Sequence, residues 1–209
     1  MAIICFFGPD GSGKSTLTKG LLELSKSHNV KCKVSWMRGT HTVASFLSRV
    51  LFKQYSIEGG SDNPFQNIRI PSRMRRIWQI IEFFSTLPVL LLRFVIPSFL
   101  GSFVLAERFV VDFVVWVSQI TNDDNYLNRF DAKFLLALAR RAQIVVYVTA
   151  SLEKLAERSK INLQMLRGQL HLYDSFAFAL DAYKLDTTLR TADESLNEIT
   201  NIFTVKNVW

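Results

Sequence analysis

Residues 1–16 read MAIICFFGPDGSGKST, and the order of residue types in this stretch decides the fold class. Ala2 to Phe7 is apolar at consecutive positions, without the polar alternation of a strand that faces water, so it reads as a strand buried on both faces. Gly8, Gly13, Lys14 and Ser15 then fit the spacing G-x-x-x-x-G-K-[ST], directly after that strand and before a helical pattern over Lys14 to Ser27. In that context the pattern has a mechanism. Glycines let the backbone approach an anion, backbone N–H groups wrap its oxygens and the helix N-terminus adds its dipole, while Lys14 reaches the β- and γ-phosphates of a nucleotide and Ser15 holds Mg²⁺. The expected ATP-binding set is Gly8, Asp10, Gly11, Ser12, Gly13, Lys14, Ser15 and Thr16.

Further short apolar runs follow at Val30 to Trp36, Ser102 to Ala106, Gln143 to Thr149 and Ala182 to Asp186. Between them lie helical patterns at His41 to Phe52, Ile68 to Leu92, Val110 to Gln119, Asp131 to Ala139, Ser151 to Ser159, Gly168 to Leu180 and Ala192 to Phe203. Strands alternating with helices, each strand apolar on both faces, predict an α/β fold with five parallel strands covered by helices on both sides. At 209 residues, one domain over 1–209 is expected. Tyr55 to Asn67 carries Gly59, Gly60, Ser61, Asp62, Asn63 and Pro64 and reads as a mobile loop.

Half the residues, 49%, are hydrophobic and 21% are charged, which excludes a disordered basic tail although Lys and Arg exceed Asp and Glu by a net +7. The N-terminal apolar run is too short for a signal peptide and has no basic residues before it, so a cytoplasmic protein is expected. Cys5 and Cys32 sit in strand-like runs and read as buried thiols. The one membrane suspicion is Ile77 to Ala106. Glu82, Pro88, Arg93, Pro97 and Gly101 divide it into pieces shorter than the ~20 apolar residues of a spanning helix, so a buried helix (about 77–100) leading to a buried strand is expected.

No Asn-Lys-x-Asp motif and no Asp-x-x-Gly after the loop are present, which argues against a GTPase. FFGPDGSGKST instead resembles the Phe-Glu-Gly-x-Asp-Gly-x-Gly-Lys-[ST] stretch of the thymidylate kinase family. Arg38, Gly39 and Thr40 in WMRGT correspond to that family's Arg-Glu-Pro-Gly-Gly-Thr segment, and Glu107, Arg108 and Phe109 to its Asp-Arg-Tyr. VYVTASLEKLAERSKINLQMLRG resembles its helix and arginine-bearing lid, about 158–168, with Arg158 and Arg167, and KLDTTLRTADESLNEI its nucleotide-side end. Phe7 in place of Glu, the missing Glu-Pro and Glu107 in place of Asp are departures, and all fall on the acceptor side.

The resemblance implies a strand order of 2-3-1-4-5 and an ATP- and Mg²⁺-dependent kinase acting on a nucleoside monophosphate, dTMP first. It also implies a homodimer. Catalytic residues expected are Lys14, Arg108, Glu107 and Arg158; the acceptor set is Asp10, Arg38, Arg76 and Arg108; Ser15 and Glu107 are the metal set. Arginines suit this chemistry because phosphoryl transfer needs charge neutralised on in-line oxygens.

Arg69, Arg73, Arg75 and Arg76 crowd into RIPSRMRR, where Arg69, Arg73 and Arg76 share a helical face. They fit an acceptor phosphate, a lipid headgroup or a solvated face. Nucleic acid is not expected, since no recognition fold accompanies the charge. The alternative reading is a P-loop kinase for a non-nucleotide or membrane-associated acceptor, suggested by Phe83 to Leu100 beside these arginines. His28, His41 and His171 have neither metal-ligand spacing nor a nucleophile partner and receive no catalytic role.

Overall fold

The computed structural model describes residues 2–37, 39, 42–51, 70–159, 161 and 163–206. Arg38, Thr40, His41, Arg69 and the expected loop over 55–67 lie outside them.

Five strands form one all-parallel sheet: β1 (Ile3–Phe7), β2 (Cys32–Trp36), β3 (Phe103–Glu107), β4 (Ile144–Thr149) and β5 (Tyr183–Asp186), in the order β2-β3-β1-β4-β5. The expected order 2-3-1-4-5 and the α/β class are thus present. Every residue of β1 is fully buried, because the strand lies mid-sheet with a core on either side. Ile3, Cys5 and Phe7 point to one core, Ile4 and Phe6 to the other. The alternation is that of any strand; only the burial of both faces removes the polar residues.

One face is covered by α1 (Lys14–Ser27) and α9 (Ala192–Val205), which bury Leu17, Leu21, Ile199 and Phe203. The other is covered by α3 (Arg75–Leu90), α5 (Val110–Thr121), α6 (Phe130–Ala139) and α8 (Leu163–Ala179), with α2 (Thr42–Leu51) packed on α3. The helix α7 (Leu152–Ser159) follows β4. Cys5 and Cys32 are free thiols, the first buried and the second half-buried.

The apolar segment departs from expectation. Pro88 and Pro97 do not divide it: a 3₁₀ turn at Ser72–Met74, α3, a π-turn at Leu91–Val95 and α4 (Ile96–Phe99) run on as one 28-residue helical rod. Pro97 has no N–H to give the carbonyl four residues back, that of Arg93. The widened turn and the hydroxyl of Ser35, which donates to that carbonyl at 2.8 Å, make good the loss.

Nor is the rod a core helix. Only 33% of its most apolar window is buried. The residues turned inward are mixed, since Trp78, Leu90 and Phe94 join the core but Gln79, Glu82, Ser85 and Thr86 are buried as well, while Ile77, Ile80, Phe84, Leu91, Leu92, Ile96 and Phe99 are exposed. Gln79 donates through Nε2 to Thr121 Oγ1 at 3.2 Å and Asp123 Oδ2 at 2.9 Å. Ser85 Oγ accepts the Ala44 N–H at 3.0 Å. Burial pushes the Glu82 carboxyl well above its ordinary pKa, against a smaller opposing effect of a hydrogen bond with Trp78.

Candidate functional site

The register places Phe6 beside Glu107, Phe7 beside Tyr147 and Thr149 beside Asp186, so the carboxyl ends of β1, β3, β4 and β5 share one edge. Ligands of open parallel sheets bind outside such an edge. The glycine-rich loop, residues 8–13, leaves β1 here. Gly8 has φ +142°, and a Cβ on it would lie 2.1 Å from the carbonyl oxygen of Val148, so only glycine lets the chain pass β4.

Gly13, at φ 93°, opens α1. No side chain caps the helix there and its first turn carries no acid, so its positive end stays open. Lys14 folds back almost wholly buried, its Nζ donating to the carbonyls of Gly8 at 2.7 Å and Pro9 at 2.5 Å and to Ser12 Oγ at 3.0 Å. A cavity of about 400 Å³ opens beside it, with Gly11, Gly13, Lys14 and Ser15 on one side and Arg158, Thr187 and Arg190 on the other. That volume is within the range of small-molecule sites.

Ser15 and Glu107, paired by sequence as a metal set, are brought together. The Ser15 hydroxyl donates to Glu107 Oε1, and Thr18 Oγ1 donates to Oε2 at 3.1 Å. Arg158, on the last turn of α7, reaches back over the loop. Its Nη1 donates to Thr187 Oγ1 at 3.2 Å and toward the Gly11 carbonyl at 3.5 Å, and its Nη2 to the Thr187 carbonyl at 3.2 Å. The expected lid over 158–168 is largely helix, since α7 ends at Ser159 and α8 begins at Leu163. Arg167 is exposed on α8.

Arg108 occupies a left-handed conformation, φ 54°, unusual for a side chain of this size. Its N–H donates to the Phe6 carbonyl and its own carbonyl accepts from Met37 N–H, both at 3.1 Å, so β1 and the residue after β2 hold it in that shape. The guanidinium is thereby aimed at Asp10, with which it forms an ion pair, and lies 3.8 Å from Asp112 Oδ1. Tyr173 donates to the same Asp112 oxygen at 2.9 Å, and the Gly8 N–H approaches it at 3.4 Å. Burial works against the charge on Arg108, but Asp10 and Asp112 outweigh it and raise its pKa further. Burial, then the charge of Asp112, pushes the Tyr173 phenol up.

A second, narrow cleft of about 10 Å³ lies here, between Asp10 and Arg108 on one side and Trp116, Gln119, Gln169 and Tyr173 on the other. Gln169 Nε2 donates to Gln119 Oε1 at 3.1 Å.

Arg76 is not brought to this cleft. It is paired with Asp131 at 2.9 Å, and its neighbour Gln79 is bonded to Thr121 and Asp123 at the far end of α5. The twelve residues of α5 separate that end from Arg108 by about 18 Å at 1.5 Å per residue. His28 lies exposed at the end of α1 and His171 is exposed on α8. Arg38 falls outside the described residues.

Asp112, Gln169, Tyr173, Thr187 and Arg190 are not among the residues singled out from the sequence. The hydroxyl of Thr187 donates to the carbonyls of Ser12 and Thr149, both at 3.1 Å, tying the glycine-rich loop to β4 and the end of β5. Such pairings join positions 38 to 175 apart, and one sequence carries no signal for them. A scan against protein-family models gives no match for the chain, and a search of curated proteins likewise gives none.

Proposed function

We propose that the chain is a P-loop phosphotransferase that uses ATP and Mg²⁺ to phosphorylate a nucleoside monophosphate, dTMP before others. The observation that carries this reading is the uncapped N-terminus of α1 at the mouth of a roughly 400 Å³ cavity, with Lys14 Nζ cradled by the loop and Glu107 bonded to Ser15. A triphosphate would draw Lys14 from the loop carbonyls to its own oxygens, and Arg158 would neutralise charge from the opposite wall.

Ser15 and Glu107 fit Mg²⁺. Both offer hard oxygen ligands, and this ion takes the rest of its shell from water and phosphate rather than from a protein cage. When bound, Mg²⁺ neutralises charge on the β- and γ-phosphate oxygens. On the acceptor side, a phosphate competes with Asp10 for Arg108, which keeps its charge in every accessible pH range. At about 10 Å³ the cleft beside Arg108 is closed to a heterocyclic base, so a nucleotide acceptor would have to part Trp116 and Tyr173 from Asp10, and the Gln119–Gln169 amide pair would then supply donors and acceptors for its edge.

ADP release from ATP, measured over a panel of nucleoside monophosphates with Lys14→Ala as control, tests the reading. Turnover highest with dTMP supports it, and silence with every nucleotide overturns it. The second reading, a membrane-associated phosphorylated acceptor, is favoured by the outward apolar face of α3 and α4. ADP release with a phosphorylated lipid and with no nucleotide would establish that reading instead.

A further inference from the structure

The rod from Ser72 to Phe99 leaves much of its apolar surface in water. Trp78, Leu90 and Phe94 enter the core together with the polar Gln79, Glu82, Ser85 and Thr86, while Phe84, Leu92 and Phe99 stand 63, 66 and 78% exposed. Ile77, Phe84 and Leu91 are seven apart and Leu92, Ile96 and Phe99 four and three apart, so each half of the rod carries an apolar stripe, and the two meet at adjacent Leu91 and Leu92 in the π-turn. From Ile77 to Leu100 the stripe runs about 35 Å at 1.5 Å per residue. It widens sideways. Phe83 meets Phe84 at 5.3 Å and Phe134 of α6 at 5.8 Å, Phe134 meets exposed Phe130 at 6.2 Å, and α2 contributes exposed Val43 and Phe46. A monomer ordinarily exposes no more than a few hundred Å² of continuous apolar surface, and more than that marks an interaction site.

The charges around the stripe select the occupant. Between Ile70 and Gly101 the only acid is Glu82, which is buried, whereas Arg73 and Arg93 are exposed and Arg75 and Arg76 half-exposed. Exposed Lys133 extends the basic surface on α6. A second copy docked by two-fold symmetry would bring the same arginines to its own rim, with no acid in the segment to answer them. Arg76 is already held by Asp131, and an anionic lipid surface answers the exposed Arg73 and Arg93 together. The rod cannot cross that surface, because its inward side is packed in the core and carries Gln79 and Ser85, bonded to the end of α5 and to α2, and the buried Glu82.

We infer that the protein docks on anionic phospholipid membranes through the face formed by α2, α3, α4 and α6, with the Ile77 to Phe99 stripe sunk into the acyl boundary and Arg73 and Arg93 at the headgroups. Docking is independent of nucleotide, so it stands or falls separately from the phosphotransferase reading.

The test is co-sedimentation of the full chain with vesicles of phosphatidylcholine and phosphatidylglycerol, and with vesicles of phosphatidylcholine alone, at about 0.1 M and about 1 M salt, where the screening length is ~10 and ~3 Å. Expected is binding to the anionic vesicles that weakens but persists in high salt. Phe84→Glu with Leu92→Glu lowers partition at both salts by more than about tenfold, since the apolar contact is lost. Arg73→Gln and Arg93→Gln each lower it about fivefold, at low salt only. All four residues are exposed, and circular dichroism with thermal melting verifies that each variant folds. Wild-type protein that stays in the supernatant at both salts overturns the inference. So does a dimer in equilibrium sedimentation that Phe84→Glu dissociates while vesicles go unbound, which would assign the face to a second copy.

Discussion

Alanine at position 8 would put a methyl group 2.1 Å from the Val148 carbonyl oxygen, in a backbone conformation of φ +142°. Ordinary contact needs more than an ångström of retreat. β4 has no room to give it, being paired on one side to β1 and on the other to β5. Overpacking of this kind costs about 1–3 kcal/mol and the backbone strain a similar amount, so Gly8→Ala should destabilise by roughly 3–5 kcal/mol. At about 2–4 °C per kcal/mol for a chain of this size, the melting temperature should fall by roughly 10–15 °C. Gly13 is the internal comparison: its φ is also positive, +93°, but a Cβ there meets nothing within 4 Å. Gly13→Ala carries the strain alone, about 1–2 kcal/mol. Differential scanning calorimetry of both variants decides. If Gly8→Ala melts with Gly13→Ala, the close approach of the loop to β4 does not constrain the chain and the reasoning fails.

Lys14→Ala should cut ATP-dependent turnover by about two to three orders of magnitude, the cost of one donor aimed at developing charge, and lower the melting temperature of a still folded chain, because the Gly8 and Pro9 carbonyls lose this donor; wild-type ADP release would remove the kinase assignment. Arg108→Ala leaves Asp10 and Asp112 without the cation they share, so it should destabilise by about 3–5 kcal/mol, and the milder Arg108→Lys should raise the KM for acceptor well above any change in ATP affinity; equal loss of ATP affinity by calorimetry would move the residue to the donor side. The Glu82 carboxyl is raised in the folded chain, so the stability it contributes is full below its unfolded pKa of about 4.3 and drains away as pH rises toward the folded value. Glu82→Gln should therefore melt above wild type at neutral and alkaline pH and converge with it near pH 4, and melting curves that stay parallel across pH would contradict this.

The sheet was legible because a strand buried on both faces has nowhere to keep polar residues, so β1 and β4 announced themselves and the helices between them fell into place. The glycine-rich wall of the larger cavity was legible for the same local reason: Gly8 to Thr16 is contiguous. The cleft beside Arg108 is assembled from the glycine-rich loop, the end of β3, α5 and α8, and Arg108 takes a left-handed turn that no side-chain preference foretells. Two readings failed on α3 and α8. Gly168 suggested a helix start, yet α8 begins at Leu163 because Leu166, Gln169, Tyr173 and Phe176 bury one continuous face across it. In the rod, apolar residues were read as inward because composition alone does not say which side of a helix meets solvent. The signal was the polar set, since Gln79, Glu82 and Thr86 recur at helical spacing and find their partners inside, Gln79 in Thr121 and Asp123, Glu82 in Trp78 and Thr86 in Met37.

The hydrogen bond from Thr187 to the Ser12 carbonyl spans 175 positions. At about 5–20 residues per second, a ribosome takes on the order of 9–35 s to synthesise the chain between them. For that interval the nascent glycine-rich loop lacks the wall that Thr187, Arg190 and Thr191 provide. The outward apolar rod, residues 72–99, is made between about a third and half of the way through the same interval. During its own synthesis this protein therefore shows the apolar face of the rod to its surroundings well before the far wall of the cavity exists.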